Sequence, residues 1–221
     1  MIDKNLIVML TWHDVTVANA KELFLECRGA AATHWGFKIE GTTPESMAEL
    51  IGLMKQAGKR TYIEVLAIDE PTCLKSAQLC AQCGADHLLG TLYYESVHRV
   101  CKEAGIAYSP FVALDPDTRL RAPIGQVVEA VKEAEAKGVD GINLSAFRYL
   151  GGDPEELLVA VSGAVEKPFS IAGSVNSFER IDYLKTLPML GAFTIGGAFF
   201  ENQFGGSFAE QIDKVCAYLK N

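Results

Sequence analysis

One unit recurs along this chain: a helix-period segment, a glycine, a few polar residues, then a short apolar run. It reads K-Q-A-G-K-R-T-Y-I-E-V, A-Q-C-G-A-D-H-L-L-G, K-E-A-G-I-A-Y-S-P-F and E-A-K-G-V-D-G-I-N-L. A glycine just past a helical segment takes the left-handed conformation that closes the helix, so Gly58, Gly84, Gly105 and Gly138 are expected helix ends. Starts are marked as clearly. Thr43-Pro44-Glu45 and Asp153-Pro154-Glu155 each supply a cap, a first-turn proline and an acid. Eight apolar runs, near residues 6–12, 33–38, 61–67, 87–91, 107–113, 141–146, 168–172 and 192–196, read as strands, each followed by a helix.

Strict βα alternation without a long linker calls for a parallel sheet covered by helices. Eight repeats in 221 residues favour a closed (βα)8 TIM barrel of the α/β class over an open doubly wound sheet. An open sheet usually carries a G-x-G-x-x-G turn after its first strand, and the first turn here, Trp12-His13-Asp14-Val15-Thr16, has no glycine. A composition of 49% hydrophobic and 22% charged residues can bury a large core, so residues 1–221 read as a single domain.

A net charge of −8 speaks against nucleic acid or an anionic membrane as the main partner, since either calls for a basic face. Leu6 to Trp12 is too short an apolar run to span a bilayer, and no cleavage pattern follows it, so the cytoplasm is the expected compartment. Most of the six cysteines (Cys27, Cys73, Cys80, Cys83, Cys101, Cys216) fall on apolar helical stripes. The lone C-x-x-C of Cys80 and Cys83 lies late in a helix with no second ligand pair, and reads as structural.

In a barrel of this kind the chemistry sits at the C-terminal ends of the strands. Sorting the thirteen lysines by position leaves Lys38 alone at a strand end. In His34-Trp35-Gly36-Phe37-Lys38-Ile39, the set Trp35, Phe37, Ile39 suits the helix layer, which turns His34, Gly36 and Lys38 inward. By the same alternation Glu64 points inward between Ile63 and Val65, a partner for Lys38. The alternatives are a lysine reaching solvent, or an ion pair that only orders the barrel. Asp14 and His13 close the first strand, so Asp14, Lys38 and Glu64 form one arc able to move a proton on a carbonyl compound. Asp14 equally suits the cap of the first helix. Across the mouth, Asn143 and Ser145 alternate inward and Arg148 follows in the loop, suited to a substrate hydroxyl, carbonyl or anion. Thr91, Tyr93 and Tyr94 after the fourth strand are candidates for an aromatic wall.

Near the C-terminus, S-I-A-G-S-V (Ser170 to Val175) and F-T-I-G-G-A (Phe193 to Ala198) are two strands that end in small residues. Glycines there leave backbone N–H groups bare, and a following helix N-terminus adds positive dipole, which together make a phosphate cup. With A-G-S-V-N-S-F-E-R-I and I-G-G-A-F-F-E, this last quarter resembles the ribulose-phosphate-binding barrel superfamily of sugar-phosphate epimerases, isomerases, decarboxylases and synthases. The resemblance puts Gly173 and Ser174 on one side of the phosphate and Gly196 and Gly197 on the other. The histidine set of the metal-dependent epimerases is absent. His13 and Asp14 alone do not make a metal cage, so no metal or cofactor is expected, although a magnesium ion held partly by substrate phosphate stays open.

The expectation is an enzyme acting on a small phosphorylated metabolite by acid/base chemistry, an isomerase or epimerase or else a lyase of the aldolase or decarboxylase kind. If Lys38 forms a Schiff base, the class is aldolase. A non-catalytic barrel that senses a phosphorylated ligand and regulates a partner is the reading from another class. I-E-V-L followed by C-G-A-D-H-L-L-G also looks like the barrel of quinolinate phosphoribosyltransferase, whose extra N-terminal domain is missing here. Assembly as a homo-oligomer is compatible with all of these.

Overall fold

A computed structural model describes residues 4–220. The apolar runs become eight strands: β1 (Asn5–Met9), β2 (His34–Lys38), β3 (Arg60–Val65), β4 (His87–Gly90), β5 (Ala107–Ser109), β6 (Asn143–Leu144), β7 (Phe169–Ile171) and β8 (Leu190–Ile195). They lie in the order β5-β4-β3-β2-β1-β8-β7-β6 with every pairing parallel. A parallel bridge from Phe111 to Asn143, with the Asn143 N–H donating to the Pro110 carbonyl at 2.9 Å, brings the two end strands together. The fold is a (βα)8 barrel.

Among the described residues eight helices of two turns or more clothe it: α1 (Ala20–Cys27), α2 (Pro44–Gln56), α3 (Glu70–Cys83), α4 (Glu95–Ala104), α5 (Ile124–Ala136), α6 (Pro154–Ala164), α7 (Phe178–Thr186) and α8 (Phe208–Leu219). Their ends follow the sequence signals. Gly58, Gly84, Gly105 and Gly138 all have positive φ, between 69° and 86°. A capping box at α2 pairs the Thr43 side chain with the Ser46 N–H at 3.2 Å and the Ser46 side chain with the Thr43 N–H at 2.9 Å. Asp153 caps α6 by accepting from the Glu155 and Glu156 N–H groups. Among the described residues no helix is long and apolar enough to cross a membrane.

Period-two alternation splits the apolar residues into two cores. Outside the barrel, Leu6, Val8, Trp35, Phe37 and Ile63 pack against the helices, with Trp35 edge-on to Phe24 at 5.2 Å. Each such side chain, fully buried, stabilises the fold by about 1.5–3 kcal/mol. Inside, Ile7, Met9, Tyr62 and Leu89 form a smaller cluster. Gly36 completes that packing, because a Cβ there would lie 2.6 Å from the Tyr62 carbonyl and 2.9 Å from the Tyr62 Cβ. At the N-terminal end of the interior, Tyr62 stacks on His87 at 5.1 Å and leans on His34 at 5.6 Å.

Two expectations shift, while the cysteines keep the role read from the sequence. The first strand ends at Met9 rather than residue 12, since Thr11–Trp12 leaves the barrel to pair antiparallel with Val15–Thr16. The fifth and sixth strands are shorter than their apolar runs, and residues 110–123 form an excursion before α5, ordered by Asp115, which accepts from the Asp117 and Arg119 N–H groups. The six cysteines are free, and burial raises the Cys80 and Cys83 thiols, so the C-x-x-C has the character of packing rather than reactivity.

Candidate active site

Lys38 and Glu64 are direct partners in the β2–β3 ladder. Both side chains therefore leave the sheet on the inner face at one level. Their burial is nearly complete, at 3% and 8% exposure, and the Lys38 Nζ lies 3.6 Å from the Glu64 carboxylate. An ammonium and a carboxylate taken out of water in this way are rarely placed for packing alone.

Asp14 reaches the same ammonium from a different element. The Thr11–Trp12 and Val15–Thr16 ribbon turns through His13 and Asp14, both left-handed at φ 50° and 61°. That is the signature of a two-residue type I′ turn, built here without glycine. The strain holds the Asp14 carboxylate over the mouth, where it accepts from Lys38 Nζ at 3.2 Å and from Arg148 Nη1 at 3.2 Å. Asp14 is thus no helix cap: Asn19 occupies that position at α1.

Electrostatics separate the two carboxyls. Burial is the largest influence on Glu64 and pushes its pKa up, against the pull of Lys38 and Arg148. Burial also acts upward on Asp14, but there the charges and hydrogen bonds of Lys38 and Arg148 together outweigh it and hold the carboxyl below its ordinary value. One ammonium thus lies between two carboxyls shifted in opposite directions.

The glycine loops face this arc across a cavity of about 470 Å³. Gly173 and Ser174 are both left-handed, at φ 70° and 60°. Gly196 is pressed against the end of β1 and the ribbon that follows it, where a Cβ would lie 3.1 Å from the Met9 carbonyl and 2.5 Å from that of Thr11, and it caps the short helix Gly197–Phe200. One part of the expected cup differs. The Gly173 N–H is not bare but donates to Thr194 Oγ1 at 2.7 Å, because Thr194 points inward from β8.

Positive charge at the cup comes from two arginines. Arg148 Nε donates to Ser174 Oγ at 3.3 Å while its Nη1 holds Asp14, so one guanidinium spans from the cup to the arc. Arg180, in the first turn of α7, donates to the Ser174 carbonyl and lies 4.6 Å over the Phe147 ring. Among the described residues no carboxylate pairs with it.

No family model and no curated protein matches this chain. Solved structures do. Three of them are thiamine phosphate pyrophosphorylase from Pyrococcus furiosus (TM-score 0.67, 16% identical, 98% of this chain and 95% of that one), orotidine 5′-phosphate decarboxylase from Pyrococcus horikoshii (0.69, 12%, 98% and 99%) and N-acetylmannosamine-6-phosphate 2-epimerase from Clostridium perfringens (0.65, 14%, 96% and 92%). The fold this chain shares with them is the (βα)8 barrel. At this identity the likeness carries the fold and leaves the reaction to the site itself.

The structure brings Asp14, Lys38, Glu64, His13, Ser145, Arg148, Gly173, Ser174, Gly196 and Gly197 to one cavity. Thr91 and Asn143 do not line it. Gly90 and Thr91 both take positive φ, 99° and 59°, which breaks the alternation and sends the Thr91 hydroxyl outward to Tyr108 Oη at 2.7 Å. Tyr93 stacks on Tyr108 and Tyr94 donates to the Ile68 carbonyl, so the expected aromatic wall belongs to the outer layer. Asn143 points inward but is fully buried, bonded to Ser170 Oγ at 2.7 Å. Sequence reasoning missed Arg180, Trp12 and Phe147, which also line the cavity. The signal for Arg180 was its place in the first turn of the helix after the glycine loop of β7. A helical arginine otherwise reads as surface.

Among the described residues no three His, Cys, Asp or Glu side chains converge as a metal cage. His13, the one histidine at the mouth, stacks on Trp12 instead.

Proposed function

We propose that this chain is an enzyme acting on a small phosphorylated metabolite by proton transfer next to a carbonyl, as an isomerase or epimerase or a lyase. The observation that carries the reading is the buried Lys38 ammonium between Asp14 and Glu64, facing glycine loops flanked by two arginines. Arg180 and Arg148 take the phosphate with Ser174 and the backbone of Gly196 and Gly197, while the Gly173 N–H, held by Thr194, shapes the loop. Guanidinium groups suit this task because their fork of donors matches phosphate oxygens. The neighbouring barrels with phosphate esters in their names support the same substrate class.

At the other end, Lys38 stabilises the negative charge that develops on a substrate oxygen when a neighbouring C–H or C–C bond breaks. Glu64, whose pKa burial raises, carries the proton. Asp14 stays ionised and orients both Lys38 and Arg148. If Lys38 instead attacks a carbonyl carbon, the imine formed is trapped by borohydride as a covalent adduct on Lys38.

A thermal-shift screen with phosphorylated sugars, phosphorylated carboxylates and inorganic phosphate tests the binding half, since a ligand of the folded state raises the apparent Tm. Turnover of the best binder by the wild type, lost in Lys38→Ala with the phosphate-induced shift retained, is the expected result. Unchanged turnover in Lys38→Ala removes the catalytic reading, and no shift with any phosphate ester removes the substrate class.

A further inference from the structure

Trp12 is the one large aromatic side chain left substantially exposed among the described residues, at 41%, and it lines the cavity. Most of a tryptophan's surface is apolar, so leaving it in water at the rim of a site is unfavourable unless something covers it. Its surroundings are specific. The indole stacks on His13 at 4.4 Å with the planes 28° apart, and on Phe200 at 5.9 Å with the planes 17° apart. Trp12 thus stacks on a ring from each of two elements beside the cup, and its own ring lies 3.8 Å from where a Gly197 Cβ would be. The strained His13-Asp14 turn holds this ladder and the Asp14 carboxylate on the same two-residue loop.

The rest of the lining suits a flat ligand. Phe147, with Arg180 on its face, and the partly exposed Leu66 add apolar surface to an otherwise largely polar cavity of about 470 Å³. A cavity of this size is large enough for a whole ring-bearing ligand. A bare sugar phosphate offers no planar ring to continue such a stack.

We propose that the natural ligand is a phosphate ester that also carries a planar aromatic or heteroaromatic ring, and that this ring extends the His13–Trp12–Phe200 stack while the phosphate sits at the glycine loops. The inference rests on the phosphate-site reading above and adds a second recognition element to it.

The test compares three probes on the intact protein: inorganic phosphate, ribose 5-phosphate and uridine or adenosine 5′-monophosphate. Intrinsic fluorescence is a direct readout, because the only other tryptophan, Trp35, is fully buried. The nucleoside monophosphates are expected to quench Trp12 and to bind about tenfold more tightly than ribose 5-phosphate, the scale of one ring stacked on an aromatic side chain. In Trp12→Ala that advantage disappears while affinity for inorganic phosphate is retained, with a circular dichroism melt checking that the variant folds. Equal affinity for ribose 5-phosphate and the nucleotides in the wild type overturns the ring proposal and leaves the phosphate site standing. Failure of all three probes to bind overturns the phosphate site itself. If Trp12→Ala changes the sedimentation coefficient but not the affinity ratio, the exposed indole serves contact between copies, and the ring proposal fails.

Discussion

The two halves of this barrel are built differently. From β1 to β4 the strands run four to six residues and the interior is bulky: Ile7, Met9, Tyr62 and Leu89 fill it, with the Lys38–Glu64 pair above. From β5 to β7 the strands are two or three residues long. The inward residues there and on β8 are small or polar, namely Ser109, Asn143, Ser170 and Thr194. Long ladders fix register, so a charged pair placed on them is held at one separation. In the other half the small inward residues leave the centre open below the glycine loops that follow β7 and β8, and Arg148 and Arg180 gather at the first of these. On the function proposed above, the two halves show a division of labour: the Lys38–Glu64 ladder for chemistry, the glycine loops for the anion.

The largest test of that division is Glu64→Gln. A neutral isostere keeps the packing and removes the proton carrier, so kcat on the best phosphate ester should fall roughly 10²–10⁴-fold. The phosphate-induced Tm shift should stay. A variant that keeps kcat and loses phosphate binding would reverse the two roles.

Acid should find the first half next. His87, against Ser109 Oγ at 2.9 Å and stacked on Tyr62, is pushed by burial to about 4. A histidine with its folded pKa below the ordinary value near 6.5 contributes stability that is intact above pH 6.5 and lost as pH falls toward 4. By linkage the loss is about 3 kcal/mol, at 1.36 kcal/mol per pKa unit. Urea denaturation from pH 7 to pH 4 measures it, and the slope should shrink in His87→Gln. A wild-type stability flat over that range would place no buried neutral histidine in the barrel.

Arg180→Ala probes the loop half. A charged hydrogen bond is worth about 1.5–3 kcal/mol, so phosphate affinity should fall roughly tenfold to a hundredfold with kcat changed far less. Equal losses in kcat and kcat/KM with phosphate affinity intact would move Arg180 to the chemistry. Smallest is Gly36→Ala, where the new Cβ meets the Tyr62 backbone and the first-half interior cannot yield. An overpacked site of this kind costs about 1–3 kcal/mol. A Tm unchanged from wild type would show that the bulky half is looser than its ladders imply.

Much of the fold was legible because its signals are local. A glycine that must turn left-handed, a proline in a first turn and apolar residues at period two are each decided within a few positions. That is why Gly58, Gly84, Gly105 and Gly138 end helices where the pattern places them, and why Lys38 and Glu64 face inward. The site was legible only where alternation held. Two consecutive positive φ values at Gly90 and Thr91 turn Thr91 to the outer layer, and alternation carries no warning of such a break. Depth along the barrel is equally silent, so Asn143 points inward and lies buried beneath the mouth rather than on it. Arg180 sits on a helix, where period two says nothing.

By itself the sequence determined the element order, the helix ends and which side of each long strand is wet or dry, because these depend on backbone preferences and side-chain polarity within one segment. Only the tertiary structure decided that Asp14 turns in a strained hairpin, that Arg148 joins it to the glycine loops, and that Trp12 stands exposed beside them. The hairpin is local, but its place over the mouth, the reach of Arg148 to Asp14 and the contact of Trp12 with Phe200 join residues distant in the chain, and that geometry is set by closure of the barrel.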